Sequence, residues 1–549
     1  MVRCGSVASL LSLPVLTGAF QGLPVPVSVL RKQVKSPPGG LSVQETDEVA
    51  ATYPAYTIST PIDHFHNDSI YEPHSDGYYD MRYWFDAQYY EEGGPVIVLA
   101  AGETSGANRL PFLQKGIVAQ LASATKGIGV ILEHRYYGES WPVPDLSTPN
   151  LRFLTTDQAL ADTAYFAQNA KFEGLEDYDL SPNNTAYIAY GGSYAGAFVA
   201  ILRKLYPDIY YGAISSSGVT EAIYDYWQYF EAARIFGPPA CIEATQKVTN
   251  VVDNILIGHN GSDYVTELKK VFGLGGVKSN PDFANALTGG ISGLQSYNWD
   301  PTQSSDEFFV YCDIVGNDTV YYPDTESLRP TVEKLISVGG WENETSTLTN
   351  HFLNYIGYVR DTRVASCDGD QEECFSTSDP DFYAQTAITQ TWKSWPYQYC
   401  TQWGYLATGS GVPAGQLPLI SRTIDIPYNA AICAQAFNIT TPSDVEAINK
   451  YGGFNLSYPR LAFIDGEWDP WRAATPHALE VPERPDTIDE PFRLIAKAVH
   501  HWDENGLFPN ETTADLPPTA VKEVQQYEAV FVQEWLKEWN AKSAKGGLP

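Results

Sequence analysis

The 549-residue chain has little positive charge: 34 Lys and Arg stand against 66 Asp and Glu, a formal net of −32. Such an excess repels polyanions, so nucleic acid and anionic membrane surfaces are excluded as partners. Long hydrophobic runs are also missing. No stretch beyond the N-terminus approaches the roughly 20 apolar residues that a spanning helix requires, so no membrane span is expected. The 7 Cys and 9 His contain no C-x-x-C pair and no cluster with zinc-finger spacing, and neither a metal nor a cofactor is expected. No repeat of fixed period occurs, which excludes a solenoid.

What is present describes a packed, exported protein. The chain is 44% hydrophobic and 13% aromatic, with 36 Tyr and 13 Trp, and its length exceeds one ordinary domain. Residues 1–19 read as a secretory signal peptide: Arg3, then an apolar run from Val7 to Phe20 interrupted by Pro14, with small residues at Thr17 and Ala19. Residues 20–51, rich in Pro, Gly, Ser and Val, read as a flexible leader or pro-segment. Glycosylation sequons stand at Asn67, Asn183, Asn260, Asn317, Asn343, Asn438, Asn455 and Asn510. Cys4 falls in the signal. Cys241, Cys312, Cys367, Cys374, Cys400 and Cys433 form an even set, which in an exported chain predicts three disulfides of undetermined connectivity. The destination is extracellular, or an acidic vacuolar or lysosomal compartment. A carboxylate excess relaxes as protons bind, so tolerance of acid is expected; the same charge would also serve plain solubility.

From Gly94 onward strands and helices alternate. Continuous apolar runs at Pro95–Ala101, Gly127–Glu133, Thr185–Tyr190 and Tyr211–Ser216 predict buried parallel strands, with helices over Thr155–Phe172 and Ala197–Leu205. The alternation stops near Gly218. A long, mostly helical stretch carrying all six mature cysteines follows, and strand patterns resume at Arg460–Ile464 and Phe492–Val499 before an amphipathic helix over Thr519–Trp539. The predicted fold is an α/β sheet interrupted by a large helical insertion. Its parts are 52–218 and 456–549 for the sheet domain and 219–455 for the cap.

The segment Gly191-Gly192-Ser193-Tyr194-Ala195-Gly196 sits between a strand and a helix. A serine there is presented at the carboxyl edge of the sheet on a turn that only small neighbours permit, as in the G-x-S-x-G nucleophile elbow of α/β-hydrolases. The second glycine is replaced by Ala195, with Gly196 one place later. The chain order of that fold is Ser, acid, His. The loop after Arg460–Ile464 offers Asp465, Glu467 and Asp469, and the loop after Phe492–Val499 offers His500 and His501. The residues alone leave Asp465 against Asp469, and His500 against His501, open.

These segments resemble a known family. Gly191 to Tyr194, Glu133-His134-Arg135-Tyr136-Tyr137-Gly138, Leu154 to Asp162, Gly466-Glu467-Trp468-Asp469-Pro470-Trp471 and the His500-His501 pair are similar to the S28 serine peptidases. The resemblance runs from Pro61-Ile62-Asp63-His64-Phe65 to the C-terminal helix. It implies an α/β-hydrolase fold with a helical cap, cleavage after proline, and Ser193, Asp469 and His500 as nucleophile, acid and base. Thr220–Phe230 looks closest to the fungal acid prolyl endopeptidases; activity at acidic pH is expected from the charge of −32 and the export signal. The Tyr194 amide is then expected to form half of the oxyanion hole, with Gly102 and Glu103 supplying the other donor. Trp471 is expected to wall a pocket for the proline ring.

Proline-containing peptides are thus the expected substrate. Whether cleavage is internal, from the carboxyl end or two residues from the amino end stays open, as does oligomeric state, a homodimer included. A carboxylesterase or lipase on the same fold is the first rival, though Ala100-Ala101-Gly102-Glu103 stands where an H-G-G-G-type segment would be. A non-catalytic glycoprotein is the second.

Overall fold

The computed structural model describes residues 22–35, 49 and 51–543. The expected signal peptide, with Cys4, lies outside them. Among the described residues ten strands occur: β1 (Tyr56–Pro61), β2 (Tyr78–Asp86), β3 (Val96–Ala100), β4 (Ile128–Leu132), β5 (Tyr187–Gly192), β6 (Gly212–Ser216), β7 (Ile223–Asp225), β8 (Gly404–Leu406), β9 (Leu461–Gly466) and β10 (Phe492–Ile495). Eight of them form one sheet in the order β1-β2-β4-β3-β5-β6-β9-β10, and β7 pairs with β8. From β4 to β10 every neighbour is parallel, whereas β1/β2 and β2/β4 are antiparallel. Every residue of β3, β4, β5, β6 and β9 is buried, as expected for central strands covered on both faces.

This is an α/β-hydrolase sheet with helices on its faces and a long, mostly helical excursion between β6 and β9. The predicted strands are present within two residues at most ends, while Phe492–Val499 shortens to Phe492–Ile495. β1 and β2 extend the sheet beyond the predicted start at Gly94. Their apolar positions alternate with polar ones, the mark of half-exposed antiparallel strands that a search for continuous apolar runs passes over.

The excursion holds three disulfides, Cys241–Cys312, Cys367–Cys374 and Cys400–Cys433. It also receives the leader. The composition predicts flexible chain over residues 20–51, yet Val27–Lys35 is a helix with Leu23, Val27 and Leu30 buried. The Val27 amide donates to Ser376 O (2.9 Å), Ser28 Oγ to Cys374 O (2.7 Å) and Asn285 Nδ2 to Pro24 O (2.9 Å). Nine residues make a marginal helix alone, so tertiary burial fixes it. Of the sequons, all but Asn317 have exposed asparagines; Asn317 is half-buried.

Candidate active site

Ser193 follows β5 and caps the helix Tyr194–Leu205 with φ 60° and ψ −126°, a backbone that L-residues rarely adopt. Its neighbours explain why the turn closes. A side chain at Gly191 would begin 2.2 Å from Ala195 O, and one at Gly196 would begin 2.8 Å from Gly218 Cα. Gly191 and Gly196 are therefore the positions that cannot carry a Cβ. Ala195 is tolerated because it faces Gly102, where φ is +71° and even an added Cβ would stand 3.2 Å from the Ala195 methyl. The departure from G-x-S-x-G is thus matched by a missing side chain across the contact. That contact also lays Gly102 beside the first turn of the helix, its Cβ position 4.0 Å from Ala195 N.

The two histidines separate cleanly. His500 Nδ1 lies 2.8 Å from Asp469 Oδ2, with the imidazole 5% and the carboxylate 0% exposed. Asp469 Oδ1 accepts the Trp471 amide at 2.9 Å, which fixes the carboxylate plane. Asp465 is engaged elsewhere, 2.6 Å from His477 Nδ1. His501 Nδ1 meets Glu504 Oε2 at 2.8 Å, and the His501 amide donates to Ser217 Oγ at 2.9 Å. Both His501 and Glu504 pack on Gly192, one residue before Ser193. Burial lowers the pKa of His500, and Asp469 only partly offsets this. Burial would lower His501 too, but the Glu504 charge and hydrogen bond outweigh it and raise that group. The buried His500 Nε2 hydrogen-bonds no protein atom among the described residues, so its lone pair is free for an incoming proton.

Tyr194 is held by its side chain. Its hydroxyl meets His134 Nε2 at 3.0 Å and accepts from Gln398 Nε2 at 2.9 Å. His134 Nδ1 donates to Arg135 O (2.7 Å), so Nε2 is the acceptor; burial keeps this ring neutral, its pKa lowered to about 4. The loop bearing His134 is itself pinned by buried ion pairs, Arg135 to Asp162 (2.5 Å) and Arg82 to Glu133 (2.7 Å). Gly138, at φ +57°, leaves the room that Glu133 occupies. These contacts account for the Glu133–Gly138 and Leu154–Asp162 motifs as supports of the site.

Trp471 is 4% exposed, stacked on Tyr226 (5.2 Å, 15°) and met edge-on by Tyr229 and Tyr405, with His500 6.4 Å away. Gln295 Oε1 accepts from both Trp471 Nε1 and Tyr229 Oη at 2.9 Å. Tyr226, Tyr229, Gln295 and Tyr405 come from the excursion, which also bonds the two late loops through Tyr226 Oη to Pro470 O (2.8 Å) and Trp299 Nε1 to Trp502 O (2.8 Å). The sequence drew attention to Trp471, and to Tyr226 and Tyr229 only as members of the Thr220–Phe230 segment. Gln295 and Tyr405 carry no motif and join the cluster only when folding brings them together.

Under the sheet lie two buried acids. Asp503 accepts from Ser216 Oγ (2.5 Å) and Tyr190 Oη (2.6 Å), and burial raises its pKa to about 6. Glu528 is fully buried and is pushed well above the ordinary carboxyl range by burial and then by Asp503. A raised folded pKa contributes stability in full below the unfolded value and loses it as pH climbs toward the folded one. Glu528→Gln should therefore be nearly neutral at pH 4 and stabilising at pH 7, where the unfolded carboxyl has lost its proton and the folded one keeps it. Thermal unfolding at the two pH values tests this; an equal shift at both would contradict it.

Comparison with known proteins identifies the family. The family model for serine carboxypeptidase S28 matches residues 60–514. The chain is 53% identical over 530 residues to a probable extracellular serine carboxypeptidase of Arthroderma benhamiae, covering 96% of this chain and 74% of that one. It is 28% identical over 449 residues to the serine protease vicPa of Bipolaris victoriae, covering 78% and 81%. Among solved structures, a proline iminopeptidase from Mycobacterium smegmatis aligns over 88% of this chain and 99% of that one, at 10% identity and TM-score 0.32. With the family's model spanning the elbow, both late loops and the excursion between them, the chain belongs to the S28 family of serine carboxypeptidases.

Proposed function

We propose that this chain is an exported, acid-active serine peptidase that cleaves on the carboxyl side of proline through Ser193, His500 and Asp469. The single observation that carries the reading is the buried His500–Asp469 hydrogen bond of 2.8 Å, with His500 Nε2 unengaged; the serine held at φ 60° between strand and helix supplies the matching nucleophile. The Ser193 hydroxyl attacks the scissile carbonyl carbon while His500 Nε2 takes its proton, and Asp469 holds the tautomer and stabilises the imidazolium. The amides of Tyr194 and of the Gly102–Glu103 loop receive the oxyanion. The C–N bond then breaks as His500 returns the proton to the leaving nitrogen, and water repeats the sequence on the acyl-enzyme. The relative named as extracellular supports the export reading.

The specificity half rests on Trp471 and its aromatic neighbours, which offer a flat apolar wall 6.4 Å from His500. Trp471→Ala should weaken kcat/KM on a proline substrate by about 1–3 kcal/mol more than on its matched alanine substrate, the value of an apolar contact in a specificity pocket. Equal losses on both would remove the pocket. A p-nitrophenyl ester assayed beside the peptides separates the peptidase from an esterase on the same fold.

The pH dependence follows from the lowered His500. Only the neutral ring accepts the serine proton, so kcat/KM should hold at mildly acidic pH, with its acidic limb below the imidazole's ordinary value of about 6.5. A profile from pH 3 to 8 reads this directly; an optimum above pH 8 contradicts it.

A further inference from the structure

Far along the sheet edge from the triad, the turn between β1 and β2 gathers donor atoms that hydrogen bonding alone does not explain. Asp63 is buried, its side chain 0% exposed, and His74 Nδ1 lies 2.8 Å from its Oδ2. Asp63 Oδ1 accepts the Phe65 amide (2.9 Å) and Gln158 Nε2 (2.8 Å). Burial opposes ionisation of Asp63, but these N–H donors prevail and hold its carboxyl below its ordinary range. One histidine would complete such a cluster. A second is present: His66, half-exposed, stacks its ring on His74 at 5.4 Å and 23°, with Asp76 standing off at 3.8 Å, beyond hydrogen-bond reach. One ring nitrogen from each histidine and an Asp63 oxygen all lie within 4.8 Å of one another.

We propose that Asp63, His66 and His74 bind one divalent transition-metal ion of the zinc class. Two imidazoles and a carboxylate are a borderline-soft N₂O set, suited to Zn²⁺, Co²⁺ or Ni²⁺ and poorly suited to Mg²⁺ or Ca²⁺. Tetrahedral bonds of about 2.0–2.1 Å place ligand atoms roughly 3.3 Å apart. The Asp63–His74 contact must therefore open by about half an ångström, and His66 must swing in, which its exposed side chain permits by rotation about its χ torsions. Asp76 is fully exposed and on the same turn, available as a fourth ligand in place of water. Gln158, from the helix Thr156–Asn169, grips the other Asp63 oxygen and is the outer-shell partner that orients the carboxylate. The neighbouring His64 takes no part, since its Nε2 is committed to Asp162 at 2.7 Å. The net charge of −32 raises the local concentration of cations around such a site. The sequence hides it because the spacing D-x₂-H-x₇-H matches no zinc-finger pattern. A metal here would clip residues 63–76 into one chelate at the edge of the sheet, remote from the chemistry.

The test is titration of the chelator-treated full-length protein with Co²⁺ at pH 7.5, followed by visible absorption and then displacement by Zn²⁺. One equivalent with a d–d band of nitrogen and oxygen ligation is expected. His66→Gln and His74→Gln should each weaken binding at least about a hundredfold, Gln158→Leu by about tenfold, and His351→Gln not at all. His66 is half-exposed, so its variant keeps the fold even if His74→Gln does not. Absence of a stoichiometric site in the wild-type protein, or binding unchanged in His66→Gln, overturns the proposal.

Discussion

Ser193→Ala should abolish peptide hydrolysis, lowering kcat by about 10⁴ to 10⁶, while leaving the thermal transition within a degree or so of wild type. Loss of a triad nucleophile is that costly because the remaining oxyanion donors and binding contacts stabilise only a fraction of the transition state. The fold should not notice. Ser193 is a strained residue whose amide donates to Ser216 O at 2.9 Å, and alanine keeps that bond. Alanine at φ 60° bears the same backbone strain as serine, so the elbow stays closed around Gly191 and Gly196. Purified variant retaining more than about a thousandth of wild-type activity would place the nucleophile elsewhere.

Asp469→Asn should reduce the rate by roughly 10⁴ with the protein still folded. Its Oδ1 accepts the Trp471 amide and its Oδ2 faces His500 Nδ1, so an asparagine retains shape but either presents an N–H toward the ring or breaks the amide contact. In the first case His500 is forced into the tautomer that cannot take the serine proton. Asp465→Asn should cost little activity by comparison, because Asp465 serves His477. Steady-state kinetics on the two variants, with circular dichroism to confirm folding, decides between them; the reverse ranking moves the acid to Asp465.

The central strands and the elbow could be read from sequence because each is enforced locally. Buried parallel strands must be continuously apolar, and a serine at φ 60° must have small neighbours, so Val96–Ala100 and Gly191–Gly196 announce themselves. Between Asp465 and Asp469 the residues offered no local discriminator. Both are acids one short loop after β9, and only the placement of His477 and His500 in space tells them apart. Gln295, Gln398 and Tyr405 were invisible for the same reason, since they act across gaps of 60 residues or more in the chain; Glu504 stands three residues after His501, a spacing that carries no signal of pairing by itself. The Val27–Lys35 helix was missed because its stability comes from the surface it docks on. Composition reports the chain's own preference and nothing of its partner.

The measurement closest to the centre of this account is covalent labelling at pH 5 with a fluorophosphonate, followed by peptide mass spectrometry. A single adduct is expected, on the oxygen of Ser193, because only a serine with a buried imidazole base and preorganised oxyanion donors is phosphonylated at a useful rate. The adduct should vanish in Ser193→Ala and form at least a thousandfold more slowly in Asp469→Asn. A wild-type protein that hydrolyses peptides while Ser193 stays unlabelled, or that carries the adduct on another residue, would contradict the account.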